Sequence, residues 1–169
     1  MRILFIMTIS FLLTACWPTS VSFRDGSVPP QWKRFMVTTL ENKAPNAPIS
    51  YSSQLTELVK DAIQNRVGLS LVTDEDEDPQ IIVLGSVDSY VVTPLSLQDN
   101  VAEVKNRLTV RVGFEIFISS PEEEVMELSS SRFADFDASQ DVGAIQEQLL
   151  EEINDQIVQD VLNKLLSNW

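Results

Sequence analysis

The chain has 169 residues, with 12 basic and 25 acidic side chains, one cysteine and no histidine, for a formal net charge of −13. The missing histidine excludes His-based acid–base chemistry, Ser–His pairs and histidine metal sites, and a lone cysteine excludes an internal disulfide. The acidic balance disfavours nucleic acid and anionic membrane surfaces as partners, because both attract a basic field.

The chain opens with Arg2 and an apolar run from Ile3 to Leu13, broken only by Thr8 and Ser10. A bilayer span takes ~20 apolar residues. This run is shorter, and it fits the apolar core of a secretory signal peptide. Leu13-Thr14-Ala15-Cys16 matches the bacterial lipobox, in which the signal is cut before a lipidated cysteine. Residues 1–15 are therefore expected to be a lipoprotein signal peptide and Cys16 the lipid-bearing first residue of the mature chain. The plainer alternative is an ordinary signal peptide with a chance cysteine behind it. One acyl chain binds a membrane marginally, and stable anchoring takes a second signal; a triacylated Cys16 would exceed that. Without the 15-residue leader, 154 residues remain, with 11 basic and 25 acidic side chains and a net charge of −14. That is one domain of ordinary size, able to bury roughly 70% of its unfolded surface.

Residues 16–31 hold three prolines and Gly26 and read as a lipidated tether. The domain is expected over 32–169. Trp32 to Leu40, with Phe35, Val37 and Thr39 on one parity, predicts a first strand. Asn42 to Pro48 is loop chemistry. Ser50 to Val67 predicts a helix with Leu55, Leu58, Val59, Ala62 and Ile63 on its apolar face, capped by Ser50 or Ser52 and stopped by Gly68. Leu69 to Val72 is a short strand. Asp74 to Asp78 is a run of five acids. It lacks the alternation and glycine of an EF-hand loop and reads as a solvated, self-repelling loop.

Pro79 opens a strand through Ile81–Leu84 and Val87–Val92, with Gly85 as the expected bulge and Pro94 at its end or at an edge. Leu108 to Ile118 alternates strictly, which means one buried face and one exposed face. Ser119 to Glu124 is a turn, and Val125 to Phe136 is the return strand. Met126, Leu128 and Phe136 share one parity there while Phe133 has the other, so a bulge near Ser131 is expected. Gly143 to Ser167 is a long helix, with Ile145, Leu149, Ile153, Ile157, Val161 and Leu165 as its stripe, widened by Val142, Leu150, Val158 and Leu162, and Ser139 or Asp141 as its cap. Two apolar helix stripes and one alternating sheet face predict a two-layer α+β sandwich. Two helices would lie on one face of a mostly antiparallel, mixed sheet of four to five strands.

The five glycines are scattered and form no phosphate-cradling loop. No nucleophile–base or paired-acid constellation emerges, so the chain does not read as an enzyme, and no cofactor or metal is implied. Lys105, Arg107 and Arg111 form the one basic neighbourhood. Arg107 and Arg111 project from the same side of an alternating strand, and Arg132 on the hairpin partner joins them if the register allows. Clustered guanidinium groups suit phosphate. The competing reading is a solvated sheet face balanced by Glu103 and Glu115.

Several segments taken in order resemble a known family. They are Gly26-Ser27-Val28-Pro29, Asn42-Lys43-Ala44-Pro45, Leu69-Ser70-Leu71-Val72, Tyr90-Val91-Val92-Thr93-Pro94, Asn106-Arg107-Leu108-Thr109-Val110, Ser131-Arg132-Phe133-Ala134-Asp135-Phe136, the Gln156–Lys164 helix segment and the terminal Asn168-Trp169. Together with the lipobox they resemble the LptE-like lipopolysaccharide-assembly lipoproteins of Bacteroidetes-type bacteria. The acidic run at 74–78 and phenylalanines at 133 and 136 depart from the family pattern. The resemblance implies a lipid-anchored protein on the periplasmic face of the outer membrane. It would plug an LptD-type β-barrel, help assemble it, and deliver lipopolysaccharide with it. Direct lipopolysaccharide contact would fall to Lys105, Arg107, Arg111 and Arg132. A stand-alone periplasmic ligand-binding lipoprotein is the alternative, and a carboxylate hydrolase a more distant one.

Overall fold

The computed structural model describes residues 28–95 and 104–167. Cys16, the leader, most of the tether and Asn168-Trp169 lie outside the described residues. In chain order the elements are β1 (Arg34–Val37), β2 (Glu41–Asn42), α1 (Tyr51–Ala62), a π-helical turn (Ile63–Val67), β3 (Ser70–Leu71), a 3-10 turn (Glu75–Glu77), β4 (Ile81–Leu95), β5 (Lys105–Ile118), β6 (Glu124–Asp137) and α2 (Val142–Leu166).

The strands form one sheet in the order β3-β1-β4-β5-β6, with β2 also pairing β4. β1, β2 and β3 pair in parallel, whereas β4-β5-β6 is an antiparallel meander. Both helices pack on one face, so the expected α+β sandwich is what forms. Two of its six strands are only two residues long, which is why four to five were legible. The predicted first strand is shorter than expected, and β2 lies in what was read as loop, because so short a run carries no alternation.

A single core joins the layers. Phe35, Leu55, Ile81, Val110, Ile116, Ile153 and Ile157 belong to it, each fully buried. The α2 stripe is buried from Leu149 to Leu165 as its fourfold spacing requires, while Ile145 in the first turn is half-buried. Asp141 caps this helix, its side chain accepting from the Gly143 N–H at 3.1 Å. On α1 the buried face is Tyr51, Ser52, Leu55, Thr56, Val59 and Ala62. Leu58, expected on that face, is 41% exposed, because it sits at the flank of the stripe that Leu55, Val59 and Ala62 define. Ser50 occupies the N-cap position with helical backbone and makes no side-chain cap bond. Gly68 ends the helical segment at φ 80°, the left-handed conformation that glycine adopts without a Cβ penalty.

Buried polar groups tie the layers. The Thr56 hydroxyl donates to Ser52 O at 2.6 Å and accepts from the Leu40 N–H at 3.0 Å, which pins the β1–β2 connection onto α1. Tyr51 donates to Asn154 Oδ1 at 2.7 Å, joining α1 to α2. Its ring meets Tyr90 edge-on at 6.2 Å. Burial, and then the neighbouring Tyr90, push the Tyr51 phenol well above its ordinary range, so it stays a neutral donor.

Two expected bulges are corrected. The β4 irregularity lies at Asp88, between Val87 and Ser89, and not at Gly85. Gly85 instead permits close approach: a Cβ there would stand 2.7 Å from the Gly113 carbonyl oxygen. The β5–β6 register runs unbroken from Lys105↔Asp137 to Ile118↔Glu124, so there is no bulge near Ser131. Phe133 differs in parity from Met126 and Phe136 because it faces away from the helices, where it is 47% exposed. Pro94 pairs with Asn106 of β5. β1 and β2 reach only as far as Val87 on the other side of β4, so the missing proline N–H interrupts no ladder there.

Candidate functional site

The hairpin of β5 and β6 decides what becomes of the basic cluster. Pairing of Thr109 with Phe133 and Val110 with Arg132 gives the two faces opposite residents. On the face away from the helices stand Lys105, Arg107 and Arg111, with Phe133, Asp135 and Asp137 on β6. On the helix face stands Arg132. The structure thus brings Lys105, Arg107 and Arg111 together and separates Arg132 from them, contrary to the fourfold cluster the sequence allowed. Alternation carries one-residue offsets to opposite sides of a strand pair, and Arg132 has the wrong parity.

Arg107 is held in place from two sides. Its Nε and a terminal amine donate to the two carboxylate oxygens of Asp135 at 2.6 and 2.8 Å. Its guanidinium carbon lies 3.6 Å from the centroid of the Phe133 ring, a cation–π stack. The hydrogen bond from Arg107, followed by its charge and that of Lys105, outweighs burial and holds the Asp135 carboxyl below its usual range. Asp137, beside Lys105, is also held low, first by its hydrogen bonds from Ser139. Two carboxylates therefore sit within the basic end and reduce its net positive field. Arg111 is exposed and has no carboxylate within salt-bridge distance among the described residues.

Arg132 serves the fold. Its Nε donates to Asp160 Oδ2 at 2.8 Å, a terminal amine donates to Oδ1, and the buried Ser130 hydroxyl adds a bond to Oδ2 at 2.6 Å. Burial pushes the Asp160 carboxyl up, but these donors win and leave it below the ordinary carboxylate range.

The basic end also carries apolar surface. Val91, paired with Thr109 on the face of the cations, is 42% exposed, and Val104, just before β5, is 63% exposed; Val92, paired with Leu108, is 38% exposed on the helix side. The partners of the cations, Asp135 and Asp160, were missed at the sequence level, as was the role of Phe133. For Asp135 and Phe133 a signal existed: counting out from a hairpin turn centred on Pro121 pairs position 107 with 135 and 109 with 133. Among the described residues no group of three or more acids or cysteines is placed to hold a metal ion, and no helix is long and apolar enough to cross a membrane.

The class that this architecture defines is an α+β sandwich module with one sheet face left open by its helices. The sequence model of the LptE family, described as lipopolysaccharide-assembly, matches residues 33–165, and the chain belongs to that family. No curated protein matches the sequence. Among solved structures, the hypothetical protein CT253 from Chlamydia trachomatis is similar at TM-score 0.55 and 8% identity, covering 81% of this chain and 99% of its own. Protein XCC0632 from Xanthomonas campestris is similar at TM-score 0.51 and 11% identity, covering 83% and 90%. At these identities the likeness is one of fold.

Proposed function

We propose that the protein is an outer-membrane lipopolysaccharide-assembly lipoprotein, anchored through Cys16 on the periplasmic face. In this reading it plugs and helps assemble an LptD-type β-barrel, and lipopolysaccharide contact is its secondary role. Family membership across residues 33–165 carries the reading. Membership of a lipopolysaccharide-assembly family supports a non-catalytic role.

The glycolipid contact falls to the end of the β4–β5 hairpin where Leu95 pairs with Lys105. Lys105, Arg107 and Arg111 offer donors for phosphate, while Val91 on the same face and Val104 just before β5 offer apolar surface for acyl chains. At long range a chain of net charge −13 repels an anionic glycolipid. Only a local patch of this kind draws it in, and Asp135 and Asp137 temper even that. Plugging therefore ranks first and glycolipid contact second.

Gentle detergent extraction, capture of the tagged full-length chain and mass analysis of what remains bound test the reading. A much larger β-barrel protein recovered in constant ratio is the expected result. A chain that elutes alone from native membranes favours the stand-alone ligand-binding lipoprotein instead.

A further inference from the structure

The face of the sheet turned away from α1 and α2 is covered by no helix among the described residues, and its side chains are sorted by type along the strands. Pairing sets Ile82 beside Phe117, and Phe117 beside Val125, in one apolar cross-strand row; Val125 is 57% exposed. The next row is Leu84, Glu115 and Glu127. Glu115 and Glu127 are directly opposite and both exposed, an arrangement that destabilises a sheet. Neither has a cation within salt-bridge distance among the described residues. One row further on, the Asp88 carboxylate reaches over Gly113, its oxygen 3.1 Å from where a Cβ would stand. Leu84, Asp88, Gly113, Glu115 and Glu127 line a cleft of about 700 Å³, with Lys43 at its β2 rim paired to Glu41 at 3.4 Å, so acids outnumber the one cation there. Arg111 and Arg107 lie on the other side of Gly113, so β5 alone runs from cationic to anionic along this face.

We infer that the Ile82–Phe117–Val125 end of this open face seats a protein partner whose contacting segment carries arginine or lysine beside apolar side chains. The inference rests on the barrel reading above and states which face of the chain the barrel wall meets. Charge decides the occupant. An anionic headgroup is repelled by Glu115, Glu127 and Asp88 and belongs at the Arg111 end. A second copy brings together two chains of net charge −13. A cationic segment, by contrast, relieves the uncompensated Glu115–Glu127 repulsion while its apolar neighbours cover Phe117 and Val125. Complementary charge at such a rim sets orientation and encounter rate as well as affinity.

The test uses the full-length lipidated chain, co-purified from native membranes in mild detergent. The variants are Glu115→Lys with Glu127→Lys, and separately Val125→Asp. A control with the same charge change on the exposed side of α2 is Glu147→Lys with Glu151→Lys. Circular dichroism and thermal melting confirm folding of each. The expected result is a loss of about tenfold or more in recovered barrel for both face variants, with the control unchanged. Equal recovery by wild type and the Glu115/Glu127 variant overturns the face assignment and leaves the barrel reading standing. No barrel with the wild type overturns both. Wild-type self-association in sedimentation that the Val125→Asp variant abolishes also overturns the assignment, by identifying a second copy as the occupant.

Discussion

Arg132 on β6 and Asp160 on α2 form a two-point hydrogen-bonded pair that fastens the last strand to the last helix, with Ser130 as a third donor. A basic residue that sequence alone assigns to a surface cluster thus becomes a clamp between the two layers. Arg132→Ala leaves a largely enclosed carboxylate with one hydroxyl donor. The expected loss is about 1–3 kcal/mol of folding free energy, read by urea denaturation, with lipopolysaccharide binding unaffected.

The same pair sets an acid response. The Asp160 carboxyl has a lower pKa folded than unfolded, since Arg132 and Ser130 outweigh the effect of burial. Its contribution to stability is therefore fully present above the unfolded value of about 3.9 and is lost as pH falls through the folded value. Asp160→Asn is expected to be less stable than wild type at neutral pH, and the gap is expected to narrow on acidification below about pH 4. Thermal melts across that range check this; a gap independent of pH contradicts it.

Gly85 is a steric prediction. A Cβ would stand 2.7 Å from a backbone carbonyl oxygen and 3.0 Å from the Phe114 ring. The backbone cannot yield as a flexible side chain would, so Gly85→Ala is expected to cost about 1–3 kcal/mol. The nearby Ser86→Ala meets no such clash and removes only the hydroxyl's bonds to Asp88 and Lys43 at the cleft, so it is expected to cost less than Gly85→Ala by the same denaturation assay.

In the core, Ile153 is fully buried on the α2 stripe. Ile153→Ala is expected to destabilise by about 2–5 kcal/mol through lost transfer energy and the cavity left behind.

For the glycolipid contact, Arg107→Ala with Arg111→Ala is expected to reduce lipopolysaccharide binding by the purified chain and to leave barrel co-purification intact. Unchanged binding in a direct titration removes this end of the sheet from the mechanism. For the anchor, Cys16→Ser is expected to move the chain from the membrane to the soluble fraction, and mass spectrometry of the wild type is expected to show the lipid on Cys16.

The strict alternation from Leu108 to Ile118 announced β5, and the fourfold recurrence from Ile145 to Leu165 announced α2, because period alone specifies which residues can share a buried face. Gly68 marked a helix end for an equally local reason, since a left-handed residue costs least without a Cβ. The location of the β4 bulge and the short β2 were not legible. Each depends on contacts between segments far apart in the chain. The candidate site shows the difference most plainly. Sequence placed Lys105, Arg107 and Arg111 in one basic neighbourhood and left Arg132 to the register as its fourth member. Only the pairing of Val110 with Arg132 decided that the fourth points the other way, into the arms of Asp160, because neighbours across a strand pair share a face and a residue one position along does not.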